Sequence, residues 1–184
     1  MSDWIQETLY ANGTLINKLG IRDAQDLAKK EFEITAQREL YLLNQDIVIK
    51  DVSAFAKINQ FLFMPLYDWA GKYRSGNFYK GNTAFLDCNR FDYAEEDINH
   101  VLTMQKEKDE LIAEDYAQLM DLLNYMHPFR EGNGRSTRLF LQCYAANHNQ
   151  CIEKSYPLSN HDLIQALTDA NVHEIARLIK VEKI

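Results

Sequence analysis

The sequence predicts an all-α fold, a helical bundle interrupted by one small β-hairpin, and three observations carry that expectation. Apolar residues recur at three- and four-residue steps through most of the chain. One stretch, 71–89, loses that period and is broken by Gly76, Asn77, Gly81 and Asn82. Only 7 Gly and 3 Pro in 184 residues leave little material for a turn-rich sheet protein. The chain reads as one domain over 1–184: an N-terminal helical extension to about residue 50, a core over 51–180 and a flap near 74–87.

The elements follow in order. Over 23–43, Ala24, Leu27, Ala28, Phe32, Ala36, Leu40 and Leu43 form the apolar side of an amphipathic helix. A second helix over 52–63 carries Val52, Phe55, Asn59, Leu62 and Phe63 on one side, ended by Pro65, and Tyr67 and Trp69 read as core residues of the connector after it. Asp92 and Glu95 have capping-box spacing ahead of a helix burying Ala94, Ile98, Val101 and Leu102. The next, over 114–126, turns Tyr116, Leu119, Met120, Leu123 and Met126 inward, and another over 133–147 follows a break at 127–132. Ser159 is placed to cap a short helix containing Leu163, Ile164, Ala166 and Leu167, and Asn171 with Glu174 marks a last one.

Composition removes several function classes. A count of 20 Lys+Arg against 27 Asp+Glu gives a net charge of −7, which argues against direct nucleic-acid binding through the phosphate backbone. Cys88, Cys143 and Cys151 are an odd number without a short-spaced pair, so they read as packing residues in a reducing compartment. No stretch approaches the ~18 apolar residues of a membrane span and no leader is recognisable at the N-terminus, so a cytoplasmic location is expected.

The chemistry concentrates in 127–138, His-Pro-Phe-Arg-Glu-Gly-Asn-Gly-Arg-Ser-Thr-Arg. Arg135 and Arg138 lie three apart on one face of a helix start, where the dipole is already positive, so an anion is needed there. Gly132, Asn133 and Gly134 allow a tight turn with outward N–H groups, a phosphate cradle that the two guanidinium forks complete. Glu131 is a hard oxygen ligand beside it, suited to Mg²⁺ that arrives with phosphates. His127, at the mouth, can accept a proton from an attacking hydroxyl. Base, metal ligand and charge clamp are the minimum for nucleotidyl or phosphoryl transfer. A catalytic zinc held by His127 and Glu131 is disfavoured, because Pro128 breaks a continuous helix and no third ligand is placed. His100, His148, His161 and His173 read as surface or core histidines.

The segment 127–138 resembles the signature of the Fic family, whose members mostly transfer AMP from ATP to a protein hydroxyl. Eight fixed positions make a chance match on the order of 10⁻¹⁰ per start site. The stretch 66–74, Leu-Tyr-Asp-Trp-Ala-Gly-Lys-Tyr-Arg, and the following Lys80, Gly81, Asn82, Thr83, Ala84 and Phe85 are similar to the connector and hairpin flap of that family. The resemblance implies a Fic fold, His127 as general base, Glu131 on Mg²⁺, and Gly132, Asn133 and Gly134 around the phosphates of ATP. It further implies Arg135 near the reacting centre, Arg138 on the γ-phosphate, and a flap (Lys80, Gly81, Asn82, Thr83) that docks a protein target by strand addition. Lys80 reads equally as a solvated turn lysine. Glycine at both 132 and 134 favours AMP over the phosphate transfer of a related branch.

The family's inhibitory pattern, Ser/Thr-x-x-x-Glu followed by Gly or Asn, occurs here only in imperfect form. Thr35 with Glu39 and Thr103 with Glu107 have the spacing, but Leu40 and Lys108 follow. The stretch 13–21, Gly-Thr-Leu-Ile-Asn-Lys-Leu-Gly-Ile, is similar to the start of bacterial Fic toxins paired with a small antitoxin. The resemblance therefore implies an inhibitory glutamate supplied by a partner chain, and type II topoisomerase subunits, gyrase and topoisomerase IV, as targets. UMP or phosphate transfer, or a helical interaction module with a vestigial site, are the alternatives.

Overall fold

A computed structural model describes residues 4–80, 83–153 and 160–184. Along them run α1 (Ala24–Leu43), α2 (Ser53–Phe63), β1 (Tyr79–Lys80), β2 (Thr83–Ala84), α3 (Phe91–Lys106), α4 (Ala113–Met126), α5 (Asn133–Asn147), β3 (Gln150–Ile152), α6 (His161–Thr168), α7 (Val172–Leu178) and β4 (Val181–Lys183). The fold is mostly helical, and β1 pairs antiparallel with β2 where the helical period disappears, with Tyr79 opposite Ala84 and Lys80 opposite Thr83. Its turn, Gly81 and Asn82, lies outside the described residues, as does the expected cap Ser159. A second antiparallel pair, β3 with β4, has no counterpart in the sequence reading, because three-residue strands are too short for alternation to show. Among the described residues no helix is long and apolar enough to cross a membrane.

Local chemistry explains most boundaries. The Asp23 carboxylate accepts from the backbone N–H groups of Gln25 and Asp26 and opens α1. Asn171 accepts from the Glu174 N–H and opens α7, while Asn160 opens α6 in the same way. The expected box at Asp92 and Glu95 does not form. Asp87 instead caps a 3-10 turn, Cys88–Arg90, that runs directly into α3, and Glu95 accepts a 2.7 Å bond from the Tyr73 hydroxyl.

Helix α5 packs against α2, α4 and β3, and α1 meets it as well. Phe55 of α2 joins the layers: its ring lies 4.9 Å from Phe129 and 6.0 Å from Phe140, all three fully buried. Burial of such rings contributes roughly 2–3 kcal/mol each. Helix α1 departs from the expected orientation. Phe32 and Leu40 are 72% and 60% exposed, and the inward side carries Leu27, Glu31, Thr35, Glu39 and Leu42. A face with two carboxylates turns inward only because two cations await it, as the site geometry below shows.

Arg74 ties the connector to the end of α4. It is 5% exposed, its Nε donates to the His127 carbonyl at 2.9 Å, and its terminal nitrogens reach the carbonyls of Gly76, Leu86 and Met126. Its guanidinium also lies 4.9 Å from the Phe91 ring centre. Substituting Arg74→Met keeps the volume and leaves these carbonyls without their donor. We expect a loss of about 3 kcal/mol of stability, since each orphaned buried acceptor costs roughly 1–3 kcal/mol. Urea unfolding followed by circular dichroism checks this; a midpoint unchanged from wild type contradicts the assignment.

Candidate active site

The site is built on a sharp helix break. Helix α4 ends at Met126, and His127 stands at its C-cap in the left-handed region, φ 42°. Gly132, φ 78°, caps the start of α5. A Cβ there would come within 2.1 Å of the Phe63 ring, so both conformation and space require glycine. Between them Phe129 is driven into the core. Asn133 clasps the loop: its Nδ2 donates to the Phe129 carbonyl at 2.8 Å, and its Oδ1 accepts from the Phe129 N–H at 3.0 Å. The Asn133 side chain thus serves the loop, and the expected cradle of outward N–H groups involves its backbone alone. Its backbone N–H, in the first turn of α5, is the group that can face an anion.

The His127 ring is enclosed by the flap. Phe85, just after β2, stacks on it with centroids 3.7 Å apart, and Phe78 lies 5.7 Å away. Burial pushes its pKa down to about 4, with the charges of Arg74 and Lys80 acting in the same direction and a bond to the Asn124 carbonyl opposing. That bond, 3.3 Å from Nδ1, requires a proton on Nδ1, because a carbonyl only accepts. Nε2 is then the basic atom, as proton abstraction needs.

At the start of α5, both arginines hold carboxylates from α1. Arg138 Nη2 lies 2.7 and 2.5 Å from the two oxygens of Glu39. Arg135 Nη2 lies 2.7 Å from Glu31 and 3.4 Å from Glu131, and its guanidinium rests 4.6 Å from the Phe63 ring centre. The second oxygen of Glu31 accepts from the buried Tyr67 hydroxyl, whose pKa burial and this carboxylate raise. Glu131 also accepts from the Gly132 N–H at 2.9 Å and keeps 41% of its side chain exposed, which leaves it open to a hydrated cation.

His127, Glu131, Gly132, Asn133, Arg135 and Arg138 therefore lie on one break, with Gly134 exposed in the first turn of α5. Lys80 is exposed on the hairpin and Thr83 half-buried beside it. Of the two imperfect inhibitory matches, Thr35–Glu39 is the one that reaches Arg138. Glu107 stands at the C-cap of α3. Sequence reasoning missed Glu31, Asn59 and the aromatic cover of His127. Asn59, fully buried, donates to the Glu131 carbonyl and to Ser136 Oγ and accepts from the Gly71 N–H. The available signal was weak: Glu31 and Glu39 are two of four acids on α1, set apart only by their positions along the side that also carries Leu27, Thr35 and Leu42.

Residues 50–145 match the Fic/DOC family. Among curated proteins, the chain is similar to "Protein adenylyltransferase VbhT" of Bartonella schoenbuchensis, 31% identical over 88% of this chain and 38% of that protein. It is also similar to "Probable protein adenylyltransferase Fic" of Salmonella typhimurium, 30% identical over 68% of this chain and 64% of that one. The chain therefore spans 38% and 64% of the lengths of these two relatives. Two solved structures share the fold. BepC of Bartonella tribocorum, with bound AMPPNP, gives a TM-score of 0.85 at 19% identity over 98% of this chain and 100% of that chain. An N-terminal Fic domain from Bartonella quintana, with bound ADP, gives 0.86 at 22% identity over 97% and 95%.

The enclosure of His127 has a direct readout. Burial disfavours the imidazolium, so the ring's C–H resonances should titrate near pH 4 rather than near the ordinary 6.5. Phe85→Ala admits water to one ring face and should move the midpoint upward. A wild-type midpoint near 6.5 by NMR contradicts the enclosure.

Proposed function

The chain belongs to the Fic/DOC family, and from that membership and the site geometry we propose that it is a protein adenylyltransferase, moving AMP from ATP to a hydroxyl side chain of a protein target. The observation that carries the reading is that a neutral, Nε2-basic His127 stands on the same helix break as a helix start whose two arginines already hold anions, the carboxylates of Glu31 and Glu39. Relatives named adenylyltransferases, and neighbours described with AMPPNP and ADP, support the nucleotide as the natural anion.

In this reaction Nε2 of His127 takes the proton of the target hydroxyl, whose oxygen forms a bond to the α-phosphorus as the bond to diphosphate breaks. The first-turn N–H groups of α5 and Arg135 face the charge that develops on the phosphates. Arg138 holds the far end of the triphosphate and so aligns the α-phosphorus for in-line attack. Glu131, whose side chain is 41% exposed, would hold Mg²⁺, which would supply charge neutralisation at the phosphates. The β1–β2 hairpin offers main-chain groups for docking the target segment, with Lys80 and Thr83 at its described tip.

Glu39 on Arg138 is the resting occupant of the γ-phosphate position in this reading, an internal form of the family's inhibitory glutamate. A separate small antitoxin is the other proposed source of such a glutamate, and type II topoisomerase subunits, gyrase and topoisomerase IV, in a bacterial cytoplasm are the proposed targets. Both rest on the likeness to Fic toxins.

The test compares α-labelled and γ-labelled ATP with Mg²⁺ and bacterial lysate. We expect α-label on protein, lost by roughly 10²-fold or more in His127→Ala, which should still bind ATP. Arg138→Ala should weaken ATP binding. Glu39→Ala should raise transfer about tenfold or more, since a charged hydrogen bond of roughly 1.5–3 kcal/mol no longer competes. Label from the γ-phosphate alone means phosphate transfer; no label in wild type and Glu39→Ala alike means that the adenylyl reading fails. No gain in Glu39→Ala, with transfer intact, moves the inhibitory glutamate to a second chain.

A further inference from the structure

We propose that Glu31 is a positioning residue for the transfer reaction: it fixes the Arg135 guanidinium for the phosphates and stays in place during turnover, whereas Glu39 leaves. This rests on the adenylyl-transfer reading above. Both glutamates project from the same face of α1 onto arginines three apart, so the pairs resemble each other at first sight.

Their surroundings differ. Glu39 is bonded through both oxygens to one nitrogen of Arg138, and its side chain is 21% exposed. A competing phosphate removes its whole set of partners at once. Glu31 is held from two sides. One oxygen takes Arg135 at 2.7 Å and the other takes the Tyr67 hydroxyl, and its side chain is 13% exposed. Tyr67 is itself immobilised, 1% exposed and stacked on Trp69 with centroids 4.3 Å apart and planes 14° apart. Phe63 lies against Tyr67 at 6.3 Å, beneath Arg135, and fills the space where a Cβ of Gly132 would sit. Glu31, Arg135 and Gly132 therefore share one aromatic platform at the end of α2.

The bonds of Arg135 run through Nη2 to Glu31 and Glu131, among the described residues, so the remaining edge of the guanidinium can meet an anion without breaking them. A fork pinned by one corner presents its other nitrogens in a fixed plane. Loss of the pin leaves a long, flexible cation that still attracts phosphate and no longer orients it. The predicted consequence is a split between turnover and affinity.

The experiment uses the full chain with Glu39→Ala, whose own transfer establishes the underlying reaction. Glu31→Gln in that background keeps size and the Tyr67 contact and removes the charge. We expect kcat to fall roughly tenfold to hundredfold while the Kd for Mg·ATP, measured by calorimetry, weakens less than about threefold. Tyr67→Phe, which loosens Glu31 without touching Arg135, should show the same split at smaller amplitude. A kcat unchanged or raised in Glu31→Gln overturns the proposal, the second outcome making Glu31 another inhibitory group. Parallel loss of kcat and ATP affinity also overturns it, since that is what a collapsed site gives. Absence of transfer in Glu39→Ala itself defeats the adenylyl reading, and the Glu31 assignment with it.

Discussion

The helix break between Met126 and Asn133 is the constraint on which the rest depends. Left-handed residues at both of its ends, His127 and Gly132, reverse the chain so that the C-terminus of α4 and the N-terminus of α5 meet. Such a conformation is costly for histidine and persists only when its surroundings over-determine it. Here they do: Arg74 holds the His127 carbonyl, Asn133 clasps both backbone groups of Phe129, and Phe129 is locked against Phe55 and Tyr73. The proposed base and anion site are thereby fixed relative to each other before any substrate arrives, which is where catalytic entropy would be saved.

Electrostatics then determines how α1 must lie. Two arginines in the first turns of α5 oppose the helix dipole, and two acids on the inward face of α1 oppose burial. Neither arrangement is favourable alone, and each resolves the other. The same logic explains the outward turn of Phe32 and Leu40: rotating them inward would bury two apolar side chains but leave Arg138 without its carboxylate and Arg135 with Glu131 alone. Since an uncompensated buried charge costs several kcal/mol and an aromatic or leucine side chain contributes roughly 1.5–3 kcal/mol, the ionic register wins.

That competition marks the boundary of what the sequence could reveal. Helices α2, α4 and α5 were legible because their apolar stripes face a single core, and the motif at 127–138 was legible because few sequences without an anion to bind place two arginines after Gly-Asn-Gly. The inward face of α1 was not, because periodicity counts apolar residues and cannot know that charges across the fold outrank them. The loop-clasping side chain of Asn133 was not legible for a related reason: it acts on Phe129, four residues back, whose burial depends on Phe55 of another helix. Asn59 and Phe85 reach the site through partners 72 and 42 residues away in sequence, Glu131 and His127. Nothing local in the chain signals such pairs.

The ionic register also limits how strongly α1 can close the site. A carboxylate on a partly exposed arginine contributes roughly 1.5–3 kcal/mol, which corresponds to about one to two orders of magnitude in nucleotide affinity. In the proposed reading an incoming triphosphate carries several charges, would meet the α5 dipole and both arginines, and would bring a cation for Glu131. In that reading it displaces Glu39 whenever nucleotide is abundant, so the internal contact would damp activity without abolishing it. The same reading leaves a use for both proposed sources of an inhibitory glutamate: α1 neutralises Arg138 in the resting fold, where an unpaired guanidinium would destabilise the helix start, and a second chain would be needed for complete silence. Stability of the resting state and partial inhibition are then one contact seen from two sides, so any substitution that frees Arg138 for phosphate must also loosen α1 from α5.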